Sequence, residues 1–180
     1  MTSATMIHDY DITEAIAEDL DTGFIDLVRT HQTGIYSGSR RLLRSHHDAE
    51  DVAQDTFVRA YKALENYDED RIRALKLRGW LWTIALNLCR NRWTAPPGSL
   101  PLFDNELVHN ETEPIDDDAW NARLAKLSDD QRTAVVLRHV VDLSIVEISE
   151  ATGRPGGTVK ADISRGLSRL RTTMEGEDLR

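Results

Sequence analysis

Two short motifs in the last third of the chain constrain its local structure more tightly than anything else in it. Ser128-Asp129-Asp130-Gln131 and Ser144-Ile145-Val146-Glu147 each place a hydroxyl three residues ahead of an amide or carboxylate side chain. This is the capping box, in which each side chain satisfies the other residue's backbone N–H at a helix N-terminus. Gly153 suits the end of the second helix, and Pro155 suits the first position of a third. The pattern predicts helix, turn at Asp142, helix, turn at Gly153-Arg154, helix: a helix-turn-helix.

Strand signals are almost absent upstream as well, and helical periodicity recurs. A first helix is predicted over Asp21–Ser45, with Phe24, Leu27, Val28, His31, Ile35 and Leu42 on one face. Gly34, Gly38 and the neighbouring serines predict a break near Ser37–Ser39. A second helix, Asp48–Asn66, carries Val52, Ala53, Phe57, Ala60, Tyr61 and Leu64 as its stripe. Asp48, Glu50 and Asp51 lie in its first turn, where the helix dipole favours carboxylates. A polar loop, Asn66–Asp70, ends it. A third helix, Gly79–Trp93, has two apolar stripes and only a thin polar strip of Thr83, Asn87 and Arg90, so it should be largely enclosed. Pro96-Pro97-Gly98, Pro101 and Pro114 mark a linker. The expected architecture is all-α, with two small helical domains. An N-terminal helical bundle over 22–94 and a C-terminal helix-turn-helix over 122–175 are joined by a flexible acidic linker over 95–121. An acidic tail over 1–21 and a short tail over 176–180 flank them. At 180 residues the chain is too short for a large barrel or a doubly wound sheet with a second domain.

The formal net charge of -9 argues at first against a nucleic-acid partner. The charge is segregated, however. Residues 1–21 hold six acids and no Lys or Arg, and residues 95–121 hold seven acids and none. Between them, 22–94 carries twelve bases against nine acids, and 122–180 carries ten against nine. Asymmetry of this kind speaks about partners.

A single cysteine, Cys89, excludes an internal disulfide and fits a reducing compartment; it reads as a packed thiol. A secretory signal is not expected, since the first ten residues lack Lys and Arg and no apolar run follows. Nor does any apolar run approach the ~18–20 residues of a membrane span. The expectation is a cytoplasmic protein without membrane insertion. His46 and His47 are adjacent at a helix start and diverge, with no HxxxH or CxxC to support a metal. With no phosphate-binding glycine loop and no nucleophile elbow, neither cofactor nor catalysis is expected.

Two stretches point to nucleic acid. In the last helix, Val159, Ile163, Leu167 and Leu170 are expected to pack inward, leaving Gly157, Ala161, Ser164, Arg165 and Ser168 outward. Lys160 and Arg171 flank that face on one edge and Arg169 on the other, with Arg154 and Thr158 at its start. Small residues around one central arginine allow close approach to base edges, while the flanking cations suit phosphates. Upstream, Arg71–Arg92 contains Arg71, Arg73, Lys76, Arg78, Arg90 and Arg92 and no acid, interleaved with Trp80 and Trp82 and followed by Trp93. Cations alternating with aromatic rings suit single-stranded nucleic acid.

The stretch Asp48-Ala49-Glu50-Asp51-Val52-Ala53-Gln54-Asp55-Thr56-Phe57-Val58-Arg59-Ala60-Tyr61, with Gly79-Trp80-Leu81-Trp82-Thr83-Ile84-Ala85-Leu86-Asn87, resembles the second conserved region of bacterial sigma factors of the small extracytoplasmic-function group. Leu127–Arg132, Ser144–Ile148 and Gly157–Lys160 resemble the fourth region. The resemblance implies a protein that binds core RNA polymerase, directs it to promoter DNA and helps open the duplex at the minus-ten element. It implies a core-polymerase contact at Asp51, Gln54, Asp55 and Arg59. Minus-ten contacts would fall on Asn66, Arg71, Arg73, Lys76, Arg78, Thr83, Asn87 and Arg90. Minus-thirty-five contacts would fall on Arg154, Gly157, Thr158, Lys160, Ala161, Ser164, Arg165, Ser168 and Arg169. An anti-sigma factor is a further implied partner, the acidic linker would thread toward the polymerase cleft, and the free protein is expected to be a monomer. The rival reading is a helix-turn-helix regulator that binds DNA without joining polymerase, although the strand–helix alternation of a receiver domain is missing. Asp162 departs from the family pattern, where a base is usual. It can pair with Arg165 three residues on, or accept from a cytosine amino group, and either would shift the minus-thirty-five preference. The acidic N-terminal stretch is expected to shield the basic modules from DNA.

Overall fold

The structure, a computed structural model, describes residues 2–43, 45–94 and 117–178. Among these residues there are nine helices and no strand. They are α1 (Thr2–Glu18), α2 (Leu20–Leu43), α3 (His46–Leu64), α4 (Glu69–Arg73), α5 (Leu77–Thr94), α6 (Asp117–Leu124), α7 (Asp129–His139), α8 (Ile145–Thr152) and α9 (Gly156–Asp178). The prolines at 96, 97, 101 and 114 lie outside the described residues.

The N-terminal half is a bundle of α1, α2, α3 and α5, with α4 at one end. The acidic segment expected as a tail forms α1 and buries Ile12, Thr13 and Ile16. Its carboxylates hid an apolar pair one helical turn apart. Helix α2 runs unbroken through the serine–glycine segment where a break was expected. Gly38 is buried there for a packing reason. A Cβ at that position would lie 2.6 Å from Trp82 Cζ2 and 2.8 Å from Val141 Cγ2, so only glycine admits the α5 indole against the α2 backbone. Helix α3 starts at Ser45, whose hydroxyl accepts from the Asp48 N–H, and buries Val52, Ala53, Phe57, Ala60 and Leu64 as its periodicity predicts. The predicted loop after it is shorter, because Asp68 caps the added turn of α4 through the Arg71 N–H.

Helix α5 occupies the centre. Leu81, Trp82, Ala85, Leu86, Leu88 and Cys89 are all buried, with α2 and α3 on one side and α8 on the other. The enclosure predicted from its two apolar stripes is therefore present, but part of the covering comes from the C-terminal half.

Both capping boxes form, at Ser128–Gln131 and Ser144–Glu147. Asp142 adopts a left-handed φ of 61° in the first turn, and Gly153 a φ of 70° at the end of α8. Helix α6 begins at Asp117, inside the segment expected as linker. In α9 the inward face is rotated from expectation: Val159, Asp162, Gly166 and Leu170 are buried, while Leu167 is 38 % exposed. The cause is Gly166. A Cβ there would sit 2.7 Å from Val135 Cγ2, so the bare α9 backbone rests directly on α7 and turns Leu167 outward.

Burial pushes the Cys89 thiol up to about 12 from an ordinary 9.0, against weaker opposing pulls from Ser39, Arg92 and Arg90. The folded thiol thus keeps its proton to higher pH than the unfolded one. Its contribution is fully present below pH 9 and is lost as pH rises toward 12. Denaturant unfolding is expected to show a decline above pH 9, of at most about 4 kcal/mol, that Cys89→Ala lacks. Equal pH profiles for the two proteins would contradict this.

Candidate nucleic-acid interface

Two surfaces carry the residues singled out by the sequence, and their electrostatic situations differ. The first is built by the end of α3, α4 and α5. Asn66 donates from Nδ2 to the Lys62 carbonyl at 2.7 Å, closing α3. The next residue, Tyr67, lies under the Arg71 guanidinium, 3.5 Å from ring centroid to Cζ, with the Trp80 ring 6.2 Å away and tilted. Sequence reasoning missed Tyr67. The signal was an aromatic residue in a polar loop two residues ahead of the α4 turn.

The cations around this platform are mostly engaged within the protein. Arg73 donates from Nε to Glu14 of α1 at 3.0 Å and from Nη1 to Glu69 at 3.1 Å. Lys76 reaches Glu150 of α8 at 3.0 Å. Arg78 donates from Nη2 to the carbonyls of Val141 (2.7 Å) and Asp142 (2.8 Å), in the first turn of the helix-turn-helix. Arg90 reaches the Thr152 carbonyl at 3.4 Å and Asn87 Oδ1 at 3.2 Å. Thr83 bonds back to the Gly79 carbonyl at 3.0 Å. Of these side chains, Lys76, Arg78 and Arg90 therefore bridge the N-terminal bundle to the C-terminal unit. Trp82 is 2 % exposed, and the indole faces of Trp80 and Trp93 are only half-buried. The Trp93 ring has the Arg132 guanidinium of α7 at 5.8 Å.

The polar side of α3 is also partly engaged. Arg92, only 10 % exposed, lies 3.2 Å from Asp51 and 3.9 Å from Asp55, and donates to the Asp48 carbonyl at 3.1 Å. Asp51 is held by this network, whereas Arg59 and Val58 are exposed. The paired histidines are occupied too: His46 faces Glu50 at 3.2 Å and accepts or donates at Tyr36, and His47 faces Asp51 at 3.8 Å.

The second surface is the outer face of α9. Gly157, Lys160, Ser164, Arg165, Ser168 and Arg169 are all exposed, and Thr158 and Ala161 are half-exposed beside them. The predicted face is thus present as one surface. Lys160 and Arg169 carry no ion pair among the described residues, and Arg165 is 60 % exposed with a single acidic partner, Asp162. Arg154, at the turn before α9, is 27 % exposed and lies against Asp130 and Asp162. A helix with small residues, central arginine and unpaired flanking cations can enter a major groove.

The chain matches the family model for Sigma-70 region 2 over residues 27–95 and that for Sigma-70 region 4 over residues 118–170. It is 32% identical to the ECF RNA polymerase sigma factor SigW of Bacillus subtilis, over 82% of this chain and 87% of that protein. It is 33% identical to an RNA polymerase sigma-E factor of Streptomyces avermitilis, over 87% of both. Among solved structures, its fold is similar to that of CnrH in complex with the cytosolic domain of CnrY. The TM-score is 0.73 and the identity 24%, over 94% of this chain and 98% of that one.

The bridging contacts make a prediction. Lys76 is 65 % and Glu150 49 % exposed, so the pair is screened and contributes at most about 1 kcal/mol. Glu150→Lys replaces it with like charges at the same place. Small-angle scattering at low salt is expected to show a larger radius of gyration for the variant, with wild type approaching it as salt rises. Identical radii at low salt would mean that the Lys76–Glu150 pair does not help hold the halves together.

Proposed function

The chain belongs to the extracytoplasmic-function sigma factors of RNA polymerase, and on that premise we propose how its surfaces divide the work of initiation. The observation that carries the division is the exposed outer face of α9. It is the one surface where the expected contact residues point together to solvent. We assign it to the duplex at the minus-thirty-five element, with Lys160 and Arg169 on phosphates and Ser164, Arg165 and Ser168 toward base edges.

The minus-ten assignment rests on Tyr67, Arg71 and Trp80. An extruded base needs an aromatic face on which to stack, worth about 1–3 kcal/mol. Arg71 covers the Tyr67 ring. A base arriving there would displace the guanidinium, which would then be free to meet the adjoining phosphate. The family resemblance adds Asn66, Arg73, Lys76, Arg78, Thr83, Asn87 and Arg90 to the proposed minus-ten contacts. The α3 face with Asp51, Gln54, Asp55 and Arg59 is assigned to core polymerase, with Arg92 holding the acids in register. The protein contributes specificity and leaves bond formation to the polymerase. Its place of action is the cytoplasm; among the described residues no helix is long and apolar enough to cross a membrane. An anti-sigma partner is proposed as well, since the sigma factor RpoE of Bartonella quintana, similar in fold, forms a complex with the anti-sigma factor NepR.

The packed arrangement cannot engage both promoter elements. Elements centred ten and thirty-five base pairs upstream lie about 85 Å apart at ~3.4 Å per base pair. A chain of this length packed as one body has a radius of gyration of about 16 Å. Residues 95–116 provide enough chain to span roughly 75 Å if extended. Opening would free Lys76, Arg78 and Arg90 from their C-terminal partners and make them available to the minus-ten strand. The acidic N-terminal segment fits the same scheme through Glu14 on Arg73. Deleting residues 1–21 would also remove Ile12 and Ile16 from the core, so Glu14→Gln is the cleaner test of that contact.

Run-off transcription with core polymerase over a promoter library tests the assignment. The protein is expected to confer initiation on a subset of templates. Tyr67→Ala is expected to lower initiation on duplex templates by about tenfold or more and much less on templates already melted at the minus-ten element. DNA binding without any core-dependent transcript would instead favour the regulator reading.

A further inference from the structure

Resting on the assignment of α9 to the minus-thirty-five element, we infer that Asp162 is a positioning residue for base selection. It acts through Arg165, while Arg154 holds its other oxygen, and it does not itself contact DNA. Asp162 is 4 % exposed on a helix whose outer face is otherwise basic and small. One of its oxygens accepts from Arg165 Nη2 at 2.7 Å. The other lies 2.7 Å from Arg154 Nη2, and Nη1 of the same Arg154 lies 3.1 Å from Asp130. A chain of alternating charge, Asp130–Arg154–Asp162–Arg165, thus runs from the first turn of α7 through the α8–α9 turn to the middle of α9.

This placement decides between the two roles open to Asp162. A carboxylate with both oxygens on arginines and almost no exposure cannot reach a cytosine amino group. It can, however, hold a guanidinium. Arginine presents five N–H donors in a rigid plane, so one edge can rest on Asp162 while the other remains for a base or phosphate. Arg165 is 60 % exposed, so that second edge is available. Held this way, the fork loses fewer rotamers on binding and is kept from sliding to the nearest phosphate. Both effects favour a guanine, whose O6 and N7 match the fork, over binding that ignores sequence. The carboxylate also subtracts one charge from the face, which weakens sequence-independent binding.

The test is selection of minus-thirty-five duplexes by the full chain, comparing wild type with Asp162→Asn, Arg165→Ala and the double variant. Wild type is expected to prefer guanine at one or two positions. Asp162→Asn is expected to lose at least fivefold of that preference at the same positions as Arg165→Ala. Its affinity for unrelated duplex should rise a few-fold, with a steeper salt dependence. In the Arg165→Ala background, Asp162→Asn should change the base preference no further, which a purely structural role would not produce. An unchanged pattern in a folded Asp162→Asn, or losses at independent positions, overturns the inference while leaving the sigma-factor assignment intact. A wild-type protein that selects no sequence overturns both the inference and the assignment of α9 to the minus-thirty-five element. Thermal melting accompanies each variant. If Asp162→Asn is unfolded, Arg165→Lys carries the test. Lysine keeps the charge without a fork to share, so the same positional loss is expected, and a lysine that retains the guanine preference overturns the inference.

Discussion

The rest of the structure depends on the burial of α5. Its indole Trp82 is pressed against the bare α2 backbone at Gly38, where Val141 of the C-terminal unit also closes in. Leu81, Ala85, Leu86, Leu88 and Cys89 complete a helix with little solvent-facing surface. Apolar burial on this scale is non-directional, but the glycine gap makes it selective, because any side chain at position 38 would collide with the ring. Once α5 is fixed, its polar residues have no choice of neighbours. Arg78 and Arg90 emerge beside carbonyls of the helix-turn-helix, and Arg92 beside the acids of α3.

That constraint explains why the two basic surfaces behave differently. Cations next to α5 find internal acceptors, several of them backbone carbonyls at the ends of the short C-terminal helices. Helix ends leave carbonyls without intrahelical partners, so an arginine is a natural complement there. The outer face of α9 has no helix packed over it among the described residues, and Lys160 and Arg169 remain available. A protein so arranged leaves the basic face of α9 open to solvent while folding much of the other basic surface inward. Separating the two halves would exchange the contacts of Lys76, Arg78 and Arg90 and would also uncover the apolar surface of α5 that the C-terminal unit covers.

Much of this was legible in the sequence. The two capping boxes, the end of α8 at Gly153 and the apolar stripe of α3 formed as their residues indicate. The solvent face of α9 also matches its small-and-basic pattern. The misreadings have physical causes. Gly38 reads as a helix weakener because propensity is a local quantity, whereas here its missing side chain accommodates a ring from α5. Leu167 reads as core because it fits the helical period, but Gly166 sets the contact with α7 and turns it outward. The acid-rich opening reads as a tail because six carboxylates without a single Lys or Arg dominate its charge, whereas Ile12 and Ile16, one helical turn apart, are what it buries.

The sequence by itself determined where helices start and stop and which residues share a face. Capping, periodicity and turn chemistry act over about four residues and need no distant partner. It also determined the family, through motifs whose order along the chain is a property of the chain alone. Only the tertiary structure decided what each charge faces. Glu14 meets Arg73, Lys76 meets Glu150 and Arg78 meets Val141 across separations of 59, 74 and 63 residues. Such pairings follow from the three-dimensional packing of the helices, and no local pattern encodes them. Asp162 shows both levels at once: its pairing with Arg165 is a helical spacing, but its burial against Arg154 exists only because α9 turns that side toward α7.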